Sequence, residues 1–219
     1  MTKHLLRDLE RLKKQILLVG SMVEGAIMKA TAALLERRPQ LAAEVLEGDD
    51  AIDTREVMVE EECLKILALH QPVAIDLRYI VTALKVNNDL ERMGDLARNI
   101  AGRANDLLKL EPIHMPNEFP TMVDTVRSMV RDSLDALVST DVDLARRVLA
   151  ADDTVDRVHR HMFQEMQAAA RENPDRIEAA INLLSASRNL ERIADQCTNI
   201  AEDVIFLVEG EIVRHQRKR

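Results

Sequence analysis

The chain has 219 residues, 47% of them hydrophobic, which is enough apolar material for one large domain or two small ones with a sizeable core. Phe119, Phe163, Phe206 and Tyr79 are its only aromatic residues and Leu, Ala, Met, Glu and Arg abound, a helix-forming composition. A formal net charge of −8 and the scarcity of stacking rings argue against nucleic acid as a partner.

In chain order, the N-terminal MTKHLLRDLERLKKQ mixes acids with bases and has no apolar core or small-residue cleavage site, so it does not read as a signal peptide. Its longest aliphatic run, Ile16 to Val19, falls far short of the ~20 apolar residues of a membrane span, and no segment is expected to cross a bilayer. Leu5, Leu9, Leu12, Ile16, Val19, Val23 and Ile27 recur at helical spacing and predict a first helix to about Arg37. Pro39 suits the first turn of a second helix, running through Leu41, Val45, Ile52, Met58, Cys63 and Ile66 to about Leu69. Pro72 opens a third, which carries Leu90, Met93, Ala97 and Ile100 on its core face and ends near Leu110, roughly 45 Å long at 1.5 Å per residue.

Prolines 112, 116 and 120 forbid a continuous helix from Glu111 to Pro120 and mark a linker between residues 1–110 and 121–219. The second half repeats the plan, with helices from about Thr121 to Ser139 and Val142 to Arg171. Asn173-Pro174 then gives a cap-and-first-turn signal for a last helix ending near Glu209. Short turns make sequential helices antiparallel, so the expected architecture is all-α: two tandem three-helix bundles. Cys63 and Cys197, one in each half, make no disulfide framework and read as buried reduced thiols, which points to the cytoplasm.

The repeat is explicit in the third helix of each half. NNDLERMGDLARNIA, from Asn87 to Ala101, returns as SRNLERIADQCTNIA from Ser187 to Ala201. Glu91, Asp95 and Asn99 recur as Glu191, Asp195 and Asn199, each set at i, i+4, i+8, a stripe that drifts only about 40° per step around a helix. Such acid pairs repel by ~0.2–0.5 kcal/mol in an isolated helix, so something should compensate.

The second helices supply facing acids: Asp49 with Asp53, and Asp152 with Asp156. Asp53 and Glu91 lie equally far from position 72, as do Asp49 and Asp95. Asp156 with Glu191, and Asp152 with Asp195, are likewise equidistant from the Asn173-Pro174 turn. Antiparallel helices place such residues side by side, at axis separations of about 8–10 Å. Four crowded carboxylates need shared protons or metal ions. An all-oxygen donor set suits Mg, Mn or Ca, or iron and zinc in carboxylate-rich clusters. The competing reading is a solvated acidic face paired with Arg55, Arg92, Arg98, Arg157 and Arg192.

Three stretches carry a family resemblance: HQPVAIDLRYI (70–80), NDLERMGDLARNIA (88–101) and NLERIADQCTNIAEDVIFLVEGEIVRH (189–215). On these the chain resembles the PhoU family of phosphate-uptake regulators over almost its whole length. The family's members are two tandem three-helix bundles whose E(D)-x-x-x-D motifs bind multinuclear metal clusters. The resemblance implies metal residues at Asp49, Asp53, Glu91, Asp95, Asp152, Asp156, Glu191 and Asp195, with iron or zinc ahead of Mg, Mn or Ca. The motif at 91 reads ERMGD where the family has ERIGD or ERIAD, a volume-conserving change. The tail after His215, QRKR, is outside the shared pattern.

The resemblance further implies a cytoplasmic, non-enzymatic accessory protein of a phosphate ABC transporter. Such a protein would restrain the phosphate-starvation response by contact with the transporter's ATPase subunit and a sensor histidine kinase, and would form a homodimer. The sequence itself offers no P-loop, no G-x-S-x-G and no Cys-His nucleophile arrangement. The alternative is a carboxylate-bridged metalloenzyme or metal-storage helical protein. Di-iron carboxylate sites use two Glu-x-x-His pairs, and the nearest match, Asp156-Arg157-Val158-His159, occurs once. The basic end from Arg214 to Arg219 reads as a solvated tail, with anionic lipid or an acidic partner as the other option.

Overall fold

The computed structural model describes residues 3–210, and Arg214 to Arg219 lie outside the described residues. Six long helices follow one another: α1 (Lys3–Glu36), α2 (Pro39–His70), α3 (Ala74–Leu108), α4 (Phe119–Ser139), α5 (Val142–Glu172) and α6 (Ile177–Glu209). The first three pack on one another, as do the last three, giving two three-helix bundles joined by α3 against α6 and by a smaller meeting of α1 with α4.

The turns are built from local chemistry. Arg38 is extended and Pro39 enters the first turn of α2, where its missing N–H is not needed. Between α2 and α3, Gln71 closes the helix in the left-handed region (φ 46°) and donates to the Leu67 carbonyl. Pro72 and the extended Val73 then delay the start of α3 to Ala74, two residues later than the proline suggested. Asp141 caps α5 by accepting from the Leu144 amide at 2.9 Å. Asn173 caps a single 3₁₀ turn, Pro174–Arg176, from which α6 continues. The linker ends earlier than its prolines predict, because Phe119 is fully buried and anchors α4 with Pro120 inside its first turn. Glu118 beside it accepts from His161 Nδ1 (2.8 Å) and Arg157 Nη1 (3.4 Å) of α5.

The apolar stripe of α1 is buried throughout, from Leu5 to Ile27. By length and composition alone α1 is apolar enough to cross a membrane, a test that the core helix of a bundle also passes. In this fold its apolar face is core, packed on α2, α3 and α4. In α2 the core runs through Val45, Ile52, Val59, Cys63 and Ile66. Met58 is 42% exposed, a correction to the expected stripe: the seven-residue step from Ile52 lands on Val59 and turns Met58 outward. Cys63 and Cys197 are buried free thiols, and burial pushes Cys63 up to about 12.

Helices α3 and α6 are central, and buried alanines such as Ala83, Ala97, Ala101, Ala186, Ala194 and Ala201 permit close approach on several sides. Lys85 Nζ meets the buried Asp203 at 3.1 Å, and Arg103 donates to Asn182 Oδ1 at 3.1 Å. An early residue of each helix thus meets a late residue of the other, so the two run antiparallel. Arg37, in the left-handed region at the α1–α2 turn, donates to the Leu107 and Leu110 carbonyls at 3.1 and 3.2 Å and caps α3 with a cation.

Gly20 marks the α1–α4 meeting, where a Cβ would press into the Leu134 side chain. Gly20→Leu is expected to destabilise the protein by about 1–3 kcal/mol through overpacking. Adding Leu134→Ala should return part of that loss, as read from urea unfolding midpoints of the two single variants and the double variant.

Candidate metal centres

Two structural features hold acids across each α2–α3-type helix pair. The apolar seams on one side of the helices fix their register, and the equidistance of residues from the turn then decides which acids face. In the first bundle the pairing is seen one turn from the acids, where Asn87 Nδ2 donates to the Glu56 carbonyl (2.9 Å) and to Glu56 Oε1 (3.2 Å). The second bundle has the same cross-link at the same place: His159 Nδ1 lies 2.9 Å from Ser187 Oγ. These contacts set Asp53 opposite Glu91 and Asp156 opposite Glu191.

The electrostatics agree with that placement. Burial pushes the Asp49 carboxyl above its usual range, and Asp53, Asp95 and Asp50 add to the rise. Arg98 opposes it, with Nε 3.3 Å from Asp49 Oδ2. Burial also raises Glu91, reinforced by Asp95, Asp53 and Glu56 against Arg92. In the second bundle burial raises Glu191, with Asp156 and Asp152 adding to it and Arg188 and Arg192 opposing. Each quartet is therefore a mutually repelling set. Asp49 and Asp152 are its buried members, at 8% and 2% exposure. Glu91, Asp156 and Glu191 are half-buried, and Asp53, Asp95 and Asp195 face solvent. Asn99 is exposed and Asn199 half-buried, two turns further along.

As placed, no group of three or more His, Cys, Asp or Glu among the described residues is arranged to hold a metal ion. The solvated-face reading is met only in part. Arg98 pairs with Asp49, but Arg157 turns to Glu118, and it is Arg160 that approaches Asp156, at 3.8 Å.

Sequence reasoning missed Glu56, Asn87 and Ser187 as members of these rows, and treated His159 only as half of a di-iron pattern. Extending the repeat offsets by one helical turn would have found all four, because Glu56 and His159 occupy matching positions, as do Asn87 and Ser187. His159 is held below its ordinary value chiefly by burial and then by Arg188. A cleft of about 340 Å³ between α1 and α2, lined by Met22, Gly25, Ala26 and Gly48, reaches Asp49.

A tandem pair of three-helix bundles, each with a carboxylate quartet across its second and third helices, defines a class of duplicated helical proteins. Residues 16–104 and 119–204 each match the PhoU domain family. The chain belongs to the PhoU family. It is 42% identical over 212 residues to the phosphate-specific transport system accessory protein PhoU homolog of Aquifex aeolicus, covering 97% of this chain and 96% of that one. It is 40% identical over 211 residues to the homolog of Pseudomonas aeruginosa, covering 95% and 86% respectively. The crystal structure of PhoU from Pseudomonas aeruginosa superposes with a TM-score of 0.90 at 39% identity, covering 94% of this chain and 99% of that one. The phosphate transport system regulatory protein PhoU of Streptococcus pneumoniae gives 0.89 at 27% identity, covering 95% and 99%.

Glu191 has a folded-state pKa above its ordinary 4.5, so its contribution to stability is present below that value and is lost as pH rises through the raised one. In chelator, Glu191→Gln should therefore stabilise the protein by about 0.5 kcal/mol at pH 7 and by less at pH 4. Thermal melts of parent and variant at the two pH values check this.

Proposed function

We propose that the chain is a cytoplasmic regulator of phosphate uptake that restrains the phosphate-starvation response by contact, without catalysing a reaction. The observation that carries this reading is the match along nearly the whole chain to proteins named as phosphate-specific transport system accessory proteins. Its partners are the ATPase subunit of a phosphate ABC transporter and a phosphate-sensing histidine kinase, and the protein acts as a homodimer. Deleting it in its host should switch on phosphate-starvation genes in high phosphate. Silent genes there, or failure of the chain to associate with either partner in native membranes, would refute the proposal.

Metal ions, iron or zinc ahead of Mg, Mn or Ca, complete the two quartets in this reading. The donor chemistry fits, since Asp49 and Glu91 in the first quartet and Glu191 in the second are raised by burial and by neighbouring carboxylates, a repulsion that a cation relieves. Closure around an ion requires side-chain rotation, which the exposure of Asp53, Asp95 and Asp195 permits. A bound ion would tie the second helix of each bundle to the third and add stability by favouring the folded state. Asp49 and Asp152 would bind from the buried side, and Glu91 and Glu191 across from them.

Glu91→Ala with Asp95→Ala is expected to remove metal from the first bundle and leave the second loaded. Chelation of the parent should lower its melting temperature. Elemental analysis per chain tests the first expectation, and equal metal in parent and double variant would show that the quartets are not the sites.

A further inference from the structure

We propose that the outer face of α2 is a docking surface for a basic, amphipathic helix of a protein partner. This rests on the contact reading above and gives it a face and a partner chemistry.

Helix α2 carries nine carboxylates against Arg55 and Lys65, so most of the chain's net charge of −8 lies on this one helix. Its apolar residues are not confined to the core, since Leu46, Val57, Met58 and Leu64 are all exposed. Steps of eleven and seven residues bring Leu46, Val57 and Leu64 back to nearly the same angle, in a row about 27 Å long at 1.5 Å per residue. Asp50, Glu60 and Glu61 bank this row, and they are exposed with no cationic partner among the described residues.

The duplication supplies an internal control. The offset that carries Asp49 to Asp152 places Arg160 at the position of Val57, Gln167 at that of Leu64 and Gln164 at that of Glu61. The same module therefore folds with a polar outer face, and core packing does not require the apolar row of α2. Among the described residues of α5, Phe163 is the only large apolar side chain so exposed. A row of exposed apolar side chains between carboxylates is what an amphipathic helix covers with its apolar stripe, while the Lys and Arg beside that stripe meet the acids. The same acids repel nucleic acid and anionic lipid, which favours a cationic protein segment.

The test uses the full chain in chelator, with a fluorescein-labelled synthetic helix of leucine and lysine as the probe and its leucine–glutamate counterpart as the control. The parent should bind the lysine peptide, more weakly as salt rises, and should not bind the glutamate peptide. Val57→Arg with Leu64→Gln, which copies the second bundle's own residues and so should fold, is expected to weaken that binding about tenfold. Glu61→Gln should weaken it less and flatten its salt dependence. Returned to a host lacking the protein, the Val57→Arg/Leu64→Gln chain should fail to silence the starvation genes that the parent silences. Equal peptide affinity in parent and double variant, or equal silencing by the two, overturns the inference and leaves the contact reading intact. Loss of a parent dimer in the same variant would give the face to a second copy and overturn it as well. Starvation genes that stay silent without the protein overturn the contact reading, while the peptide measurement still decides the face.

Discussion

The structure depends on an apolar seam that forces like charges together. Val45, Ile52, Val59, Cys63 and Ile66 of α2 pack in the core with Ala83, Val86, Leu90, Met93 and Ala97 of α3, and α5 with α6 repeats the arrangement. Each large side chain so buried contributes about 1.5–3 kcal/mol, against ~0.2–0.5 kcal/mol lost for each exposed acid pair. The seam wins, and the acids on the adjoining face have no freedom to slip out of register. The result is a scaffold presenting two strips of crowded carboxylate, a charge pattern that a multivalent cation can bridge.

Duplication multiplies this constraint and then loosens it. Because both halves use the same helix lengths and turns, α3 and α6 meet antiparallel, with Lys85–Asp203 and Arg103–Asn182 tying opposite ends of the seam between bundles. The copies have since diverged where they carry charge. Arg98 sits on Asp49 in the first bundle, and Thr198, at its matching position, donates instead to the Asp195 carbonyl. Gly94 lets Ile52 approach α3, where its counterpart is Ala194. The clefts have parted too. The one between α1 and α2 mixes glycines and apolar residues with Ser21, Lys29, Glu44 and Asp49, whereas that between α4 and α5 has no glycine and sets Thr121, Asp124, Thr125, Ser128, Asp132 and Arg147 beside Met129, Val148 and Ala151. Two near-copies of one module thus present different surfaces on one body, a suitable arrangement for a protein whose proposed work is to hold more than one partner.

The sequence by itself determined the helices, their pairing and the candidate acids. An apolar period of 3.6, prolines at the turns and the repeated LER(M/I)(G/A)D stretch are local signals, and residues equidistant from a tight turn must face each other if the helices are antiparallel. That reasoning placed Asp53 by Glu91 and Asp156 by Glu191. It failed at Met58, since one residue of phase along a long helix is settled by packing on two neighbours at once. The apolar content of α1, enough by composition for a membrane span, is spent on the core.

Only the tertiary structure decided which side chains meet over long separations. The Lys85–Asp203 and Arg103–Asn182 bridges span 118 and 79 residues, the Glu118 clamp reaches His161 across 43, and Arg37 reaches the end of α3 across 70. The first two follow from no spacing, because no turn relates those positions and the docking of one bundle on the other sets them; Glu118 with His161 and Arg37 with Leu107 are equidistant from the turns near 140 and 72, and there the packing decides only which side chains reach across. The pairing of Arg98 with Asp49, and of His159 with Ser187, likewise depends on side-chain rotamers that the packing of the neighbouring helices selects. Register along a helix pair is a one-dimensional fact that a sequence can carry, whereas the choice of partner around the helix requires the third dimension.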